Sequence, residues 1–563
     1  MILADLKNKI KAALNLESAI FAYPTDSELG DLSLACFELA KSRHESPAKL
    51  AEELADAARN SQEIMNYFQA VKAVGPYLNF FISPFFLADN VLMTVGKEAE
   101  KYGFNTLGGS KRVMIEYSNG NTHKEYHVGH LRNISYGDTV SRLLHANGYE
   151  VIPVSYINDF GIHVAKTIWR WKQDSSYQSS TEDKGYLLGK CYAVASQLLK
   201  DDPAGKEEVS DIMKEIESRS GDNYKLWTET REWSIKYFDS IYQELHIKFA
   251  HIFYESEVID AGLALVEGMK KQGILRLSEG AIIADLEKYG LGVLPVIRSD
   301  GTALYPVADL ALASEKFQKY NLDESIYVVD VRQSLYFEQL FKILGLMGYR
   351  QSLVHLTYDF VTLPGGMMSS RTGNVVTYQE LKEQVLTKFL AETAQRHSDW
   401  KPDRIHEVAL NLTISTIKFE MLKVGADKII TFNIDEAARF DGYTACYLQY
   451  GYARLKSIMR KDPPDDHLSV DATLLREPAE KKILIALARY QEIVVSAGEK
   501  YSSSEITKYL FELVQLSNDY YHEINILKAE SGIKQARLAL IKAVAQVLKN
   551  GFTILGMEAL EEM

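Results

Sequence analysis

Apolar residues recur along this chain with two different periods, and the places where the period changes divide it. In Met1–Leu14, MILADLKNKIKAAL, they fall on one helical face with charges between them, and Ser46–Arg59 repeats that spacing. Tyr77–Ile82 is instead a short apolar-rich run of strand character. The pattern predicts a small α+β unit over residues 1–106, followed by the linker Leu107-Gly108-Gly109-Ser110.

From Lys111 the texture changes. Val113–Tyr117 reads as a buried strand, a Ser/Asn/Gly loop follows, a helical run covers about Gly129–Asn147, and Tyr149–Tyr156 supplies the next strand. Such a β-loop-α-β order builds a parallel sheet with a crossover helix. Further strands are expected at Ser325–Val329 and Leu356–Val361, separated by a helix at Tyr336–Met347. Residues 111–432 therefore read as a doubly wound sheet with an insertion at about 170–275, where Tyr186–Lys200 and Glu207–Glu217 have helical spacing. Beyond about Phe432 strands disappear. Thr444–Arg460, Glu480–Ala497, Ser504–Glu523 and Ile533–Asn550 all carry helical periodicity, so residues 433–563 are predicted to form an all-α bundle.

Composition narrows the classes. A chain of 563 residues with 46% hydrophobic and 25% charged positions and only 13 prolines is expected to be folded nearly throughout, as a multidomain α/β protein. The net charge of −13 argues against coating nucleic acid or anionic membrane through the overall field, though not against a local basic face. Cys36, Cys191 and Cys446 form no C-x-x-C pair, which fits a reducing cytoplasm. The amphipathic start does not resemble a signal peptide, and no run approaches the roughly 18–20 apolar residues that cross a bilayer.

The chemistry concentrates in Glu116–Arg132, EYSNGNTHKEYHVGHLR, at the carboxyl end of the first parallel strand, where ligands of open α/β sheets bind. A helix beginning near His127 offers unpaired N–H groups and a partial positive charge, Gly129 lets a ligand approach the backbone, and His127 and His130 can each donate to phosphate oxygens. A nucleotide polyphosphate is the natural ligand. Two other uses compete: a metal pair, for which the H-E-x-x-H order is lacking, and helix capping or core hydrogen bonding. No G-x-x-x-x-G-K-[ST] is present, and Gly290-Leu291-Gly292 lacks the third glycine of a dinucleotide fingerprint because Pro295 stands there.

His127-Val128-Gly129-His130 opening a helix after a strand resembles the HIGH signature of class I aminoacyl-tRNA synthetases. Met368-Ser369-Ser370-Arg371-Thr372-Gly373-Asn374-Val375-Val376 resembles the M-S-[ST]-R-x-G-x-V-V form of the second signature found in arginyl-tRNA synthetases, without the usual lysines. Ala73–Phe80 is similar to an element of that family's N-terminal domain, Tyr156-Ile157-Asn158-Asp159-Phe160-Gly161 to its Y-I-N-D-x-G segment, and Phe440–Thr444 with Tyr447–Tyr450 to the entry of its anticodon-binding bundle. The likeness covers essentially the whole chain.

The resemblance implies a Rossmann-like catalytic domain, a small N-terminal α+β tRNA-binding domain and a C-terminal helical anticodon-binding domain. It implies arginine–tRNA ligase activity with ATP, as its Mg²⁺ complex, L-arginine and tRNA(Arg) as partners, in a cytoplasmic monomer with no dedicated protein metal site. Lys124, His127 and His130 would be catalytic, Lys124 replacing the missing lysine charge; His127, Gly129, His130, Met368, Ser369, Ser370 and Arg371 would bind ATP. Glu116, Asn121, Tyr305, Asp309 and Gln333 would bind arginine, the two carboxylates facing a guanidinium that is a planar fork of donors. Tyr77, Asn79, Tyr447, Tyr450, Arg454 and Met563 would meet tRNA.

Several residues keep a plainer reading. Glu116 can end a strand in solvent, Asp309 can cap a helix, and Tyr443, Tyr447 and Tyr450 fall on one helical face and serve equally as core or as platforms for anticodon bases. Tyr305-Pro306-Val307-Ala308-Asp309 lacks the threonine and arginine more usual between its outer residues, and Tyr336 stands where histidine is common. Another class I ligase, a small-molecule nucleotidyltransferase, or an RNA-binding relative without turnover remain as alternatives.

Overall fold

Strand-forming runs scattered over some 250 residues come side by side in the computed structural model, which describes residues 1–362, 376–464 and 471–563. They are β1 (Arg112–Glu116), β2 (Glu150–Ile157), β3 (His251–Tyr254), β4 (Glu324–Asp330) and β5 (Ser352–Tyr358), all parallel, in the spatial order β5-β4-β1-β2-β3. Val113, Met114 and Ile115 of β1 are buried on both faces, which explains an unbroken apolar run where a half-exposed strand would alternate. Chain order reverses between β1 and β4, and this switch point is where a doubly wound sheet opens a ligand crevice.

Helix α1 (Val128–Ala146) crosses from β1 to β2 and is buried almost all round, with Arg132, Asn133, Ser135, Asp138 and Thr139 among its buried positions. Such a helix has little amphipathic contrast because it is packed on several sides. Helices α2 (Tyr305–Tyr320) and α3 (Ser334–Leu346) flank β4 in sequence and line the crevice with their first turns.

Two sequence expectations need correction. The span 170–275 is helical over much of its length, but β3 lies inside it and belongs to the main sheet, so it is not wholly an insertion. Directly after it, Arg276–Ser278, Ala281–Asp285 and Val293–Ile297 form an antiparallel three-stranded sheet that the periodicity reading passed over. Its first turn places Glu279 and Gly280 at φ of 51° and 82°, as a tight hairpin requires, and Gly290 and Gly292 serve the second connection with φ of 75° and 66°. The expected strand Leu356–Val361 is out of step: β5 ends at Tyr358, and Val361–Thr362 pairs separately with Ile430–Thr431. As an edge strand β5 is half-buried along most of its length, so no alternation marks its limits.

The first eighty residues form a four-stranded antiparallel sheet ordered Phe21–Ala22, Leu32–Ala35, Tyr77–Ile82, Phe68–Val74, with Pro47–Asn60 packed against it. Helix α4 (Pro402–Leu422) leads into α5 (Ala445–Lys461), α6 (Pro478–Glu499), α7 (Ser503–Glu523) and α8 (Ser531–Ile554), which pack on one another as the expected bundle.

The bundle is not a separate body. Leu6, Val71, Leu131, Leu412 and Leu548 belong to one continuous core, and side-chain donors of α1 reach across to the helical region. Arg132 donates to the carbonyls of Met421, Gly425 and Ala426, Tyr136 Oη to that of Tyr501 (3.0 Å), Arg142 to that of Thr553 (3.2 Å), and Asn147 at the helix end to that of Val494 (3.0 Å).

Candidate active site

The loop between β1 and α1 is fixed by main-chain geometry before any ligand arrives. Ser118 and His123 adopt φ of 60° and 61°, the Ser118 N–H donates to Asn133 Oδ1, and Asn121 pairs with Asn158 in a strand-like bridge. His123 is fully buried between Thr122 Oγ1 (2.9 Å) and Thr230 Oγ1 (2.8 Å), and burial pushes its pKa down to about 3. It is a core histidine whose two ring nitrogens are both engaged inside the protein and which, unlike its two successors, does not line the crevice.

His127 is the N-cap of α1. Its Nδ1 accepts the Gly129 N–H at 3.1 Å, while its own N–H donates to His130 Nδ1 at 3.1 Å. The rings stack with centres 3.9 Å apart. Because each Nδ1 accepts a backbone hydrogen, the neutral ring must carry its proton on Nε2, so each histidine retains one outward donor. Burial, followed by the nearby Lys124 charge, lowers His127 to about 4, and burial with the neighbouring His127 lowers His130 well below 6.5. Capping and ligand donation are thus not rivals here: one ring nitrogen does each. Gly129 is required by the stack, since a Cβ there would stand 2.9 Å from His127 Cε1.

These residues border a cavity of about 1350 Å³ at the switch point. Its wall brings together His127, Gly129 and His130 with Glu116, Asn121, Tyr305, Asp309 and Gln333, which the sequence scatters over more than two hundred residues. Leu294 and Pro295 of the antiparallel sheet close one side.

The carboxylates differ in state. Glu116 is 3% exposed, so it does not end its strand in solvent; Lys316 Nζ, itself fully buried, bonds Oε2, and Asn119 Nδ2 donates to Oε1 at 2.9 Å. Asp309 sits inside α2 and not at its cap, and accepts from the Tyr336 hydroxyl. Burial raises Asp309 to about 7, with the Tyr336 bond and the Lys316 charge pulling it back and Glu116 pushing it up. Tyr336, which replaces the expected histidine, therefore supplies a neutral donor to Asp309.

Two residues escaped the sequence reading. Lys316 lies seven positions after Asp309 on α2 and so shares its face, a spacing that was available as a signal. Glu255 is 9% exposed, its Oε2 has no partner, and burial with the charges of Asp309 and Asp159 raises it to about 8. Nothing in the local pattern around Glu255 marks it.

Lys124 is placed beside the cavity and not on its wall: its ammonium lies 5.0 Å from the Tyr192 ring, and burial, with repulsion from Lys166, lowers it to about 8. Met368, Ser369, Ser370 and Arg371 lie outside the described residues. Tyr77 is exposed and meets Phe37 edge-on at 5.8 Å. Asn79, by contrast, is buried with its Oδ1 accepting from Ser33 Oγ at 2.6 Å, so the expectation that it meets tRNA finds no exposed side chain. Tyr443 precedes α5, donates to Thr507 Oγ1 and is partly buried against the core. On α5 itself, Arg454 donates to Tyr450 Oη (3.1 Å) and to Asn518 Oδ1 (2.9 Å), and Asn518 donates to Tyr447 Oη (3.0 Å). Tyr450 and Tyr521 of α7 flank the guanidinium at the surface, while Met563 packs partly against the core.

Family models match along most of the chain: the arginyl-tRNA synthetase N-terminal domain over residues 1–82, the catalytic domain of class I (R) tRNA synthetases over 92–432 and the DALR anticodon-binding domain over 448–563. The arginine–tRNA ligase of Bdellovibrio bacteriovorus is 35% identical over 96% of this chain and 93% of its own length. That of Clostridium perfringens is 32% identical over 100% and 99%. The solved arginyl-tRNA synthetase of Thermus thermophilus superposes with a TM-score of 0.81 at 25% identity, covering 100% of both chains. With a histidine-capped helix end and two carboxylates joined in one cavity, and with this likeness running from end to end, the chain belongs to the arginyl-tRNA synthetase family of class I aminoacyl-tRNA synthetases.

Proposed function

We propose that the chain attaches L-arginine to tRNA(Arg) in two steps within the switch-point cavity. A carboxylate oxygen of arginine attacks the α-phosphorus of ATP, the bond to the β-phosphate oxygen breaks and pyrophosphate leaves; a hydroxyl of the tRNA's terminal adenosine then attacks the arginyl carbonyl and AMP departs. ATP enters as its magnesium complex, the ion belonging to the substrate.

The supporting observation is that outward-facing imidazole donors at a helix N-terminus share one cavity with Asp309. Nε2 of His127 and of His130 donate to phosphate oxygens as charge develops, with the α1 terminus behind them. Asp309 and Tyr305 read the guanidinium, and Asn121 and Gln333 hold the α-amino and carboxylate groups. Lys124 supplies a positive charge behind the phosphates. No side chain forms a covalent bond; catalysis is positioning and charge stabilisation.

On this reading residues 1–106 hold the body of the tRNA through the face carrying Tyr77, residues 111–432 carry out the chemistry, and residues 433–563 read the anticodon at Tyr447, Tyr450 and Arg454. The protein works as a cytoplasmic monomer; among the described residues no helix is long and apolar enough to cross a membrane. ATP–pyrophosphate exchange with and without tRNA tests the proposal. Exchange that requires arginine, and tRNA beside it, is the expected result, and no arginine-dependent exchange under either condition rejects it.

A further inference from the structure

Lys316 has no part in the steps above, yet a lysine buried beside two carboxylates at the foot of a substrate pocket is costly to keep. Its ammonium bonds Glu116 and lies 5.3 Å from the Phe253 ring and 5.2 Å from that of Tyr327, so it is buried at the cavity wall with Glu116 as its bonded partner. Glu116 spends its remaining oxygen on Asn119. A guanidinium entering the cavity therefore meets a Glu116 already neutralised, while Asp309 has only the Tyr336 hydroxyl.

We infer that Lys316 is a positioning residue for substrate selection: by holding Glu116 as an internal ion pair it leaves Asp309 as the carboxylate that receives the guanidinium. The inference rests on the arginine-activating role proposed for the cavity and changes which of the two expected carboxylates does the reading. Charge counting supports it. Glu116, Asp309 and Lys316 together leave one negative charge, which one arginine side chain cancels; without Lys316 two would face it. Glu255, raised to about 8 by burial, is mostly protonated at neutral pH and adds little charge.

The groups facing Asp309 from every side are Glu116 on β1, Tyr156 on β2, Glu255 on the helix Glu255–Lys271, Tyr305 and Lys316 on α2, Tyr327 on β4 and Tyr336 on α3. Of these, Lys316 is the cation. It holds the Asp309 carboxyl below where burial and Glu116 would otherwise leave it. Removing that charge makes Asp309 retain its proton to higher pH, and arginine must then displace the proton to bind.

The test measures arginine KM, ATP KM and kcat by ATP–pyrophosphate exchange across pH 6 to 9, using full-length protein with tRNA present. In Lys316→Met the pH above which arginine KM levels off is expected to rise by about one unit, with arginine KM at pH 7 up about fivefold. ATP KM and kcat at saturating arginine should stay within roughly threefold of the parent, because the phosphate site is untouched. Lys316→Arg, which keeps the cation, should keep the parental profile. The double variant Glu116→Gln/Lys316→Met leaves neither charge unpaired, guards against misfolding, and should return the levelling point toward the parental pH. An unshifted arginine KM profile in Lys316→Met, or a double variant as displaced as the single one, overturns the inference. Absence of arginine-dependent exchange in the parent protein rejects the functional reading beneath it instead.

Discussion

The imidazole rings of His127 and His130 lie 3.9 Å apart and 27° from parallel, each accepting a main-chain hydrogen through Nδ1. That arrangement puts the proton of each neutral ring on Nε2, the donor that the proposed function directs at ATP. His127→Ala and His130→Ala are each expected to lower kcat of the activation step by about 10²–10³, the usual effect of removing one preorganised donor, with little change in arginine KM. Since burial holds His127 near 4 and His130 well below 6.5, neither charges between pH 6 and 8, and kcat should show no imidazole limb there. A limb near pH 6.5 that vanishes in His130→Ala would contradict the assignment.

Gly129 makes the same stack possible. The methyl of Gly129→Ala would enter the 2.9 Å gap to His127 Cε1 and push the ring out of line, although alanine suits a helix better than glycine. The expected result is a thermal midpoint close to the parent with a raised ATP KM and reduced kcat. Unaltered kinetics would show that the ring has room to move.

The proposed pairing of Asp309 with the guanidinium makes arginine binding depend on pH. Its carboxyl is held up at about 7, so the empty pocket is largely protonated below that value and ionised above it. A guanidinium needs the ionised form, so arginine affinity should fall as pH drops below 7, by up to about tenfold per unit, and level off above it. Asp309→Asn should raise arginine KM on the order of a hundredfold, leave ATP KM near the parent and abolish this dependence.

Lys124 stands off the cavity wall, and its expected contribution is a charge and not a contact. Lys124→Ala should slow activation by about 10²–10³ in single-turnover measurements. Burial lowers the ammonium to about 8, and bound phosphate raises it again, so the parental rate should decline at or above pH 8 as the proton is lost. Lys124→Arg should remove that decline.

On α5, Tyr450→Ala should raise the KM for tRNA at least about fivefold if a base stacks there, a platform being worth about 1–3 kcal/mol. Arginine and ATP KM at saturating tRNA should not move. A tRNA KM that ignores both this change and added salt would remove α5 from the interface.

The strand β1 and the start of α1 are legible in the sequence because burial on both faces produces an unbroken apolar run, and because histidine and glycine at a helix start have few other uses. The helices of the bundle are legible from their period alone. What stayed hidden depends on distant partners. The bond from Lys316 to Glu116 is not legible in the sequence, because Lys316 is two hundred residues away and comes beside it through the parallel pairing of β1 with β4. Glu255 looks like an ordinary first-turn acid until Asp309 and Asp159 are brought beside it. The hairpins between 276 and 297 were hidden by glycines more readily weighed as a nucleotide motif than as turns.

The carbonyls that seat α1 belong to residues 289 to 411 positions further along the chain. Contacts that remote form late in folding, because the loop entropy they cost is recovered only once the intervening chain is in place. The middle and carboxyl end of α1 therefore take their final seat only once the helical bundle has docked, and a fragment cut to residues 92–432 would keep the acceptors of Arg132 but lose those of Tyr136 at Tyr501, of Arg142 at Thr553 and of Asn147 at Val494. The bundle is in this sense the bed on which the crossover helix of the sheet lies, and a change that loosens it reaches the cavity through that helix.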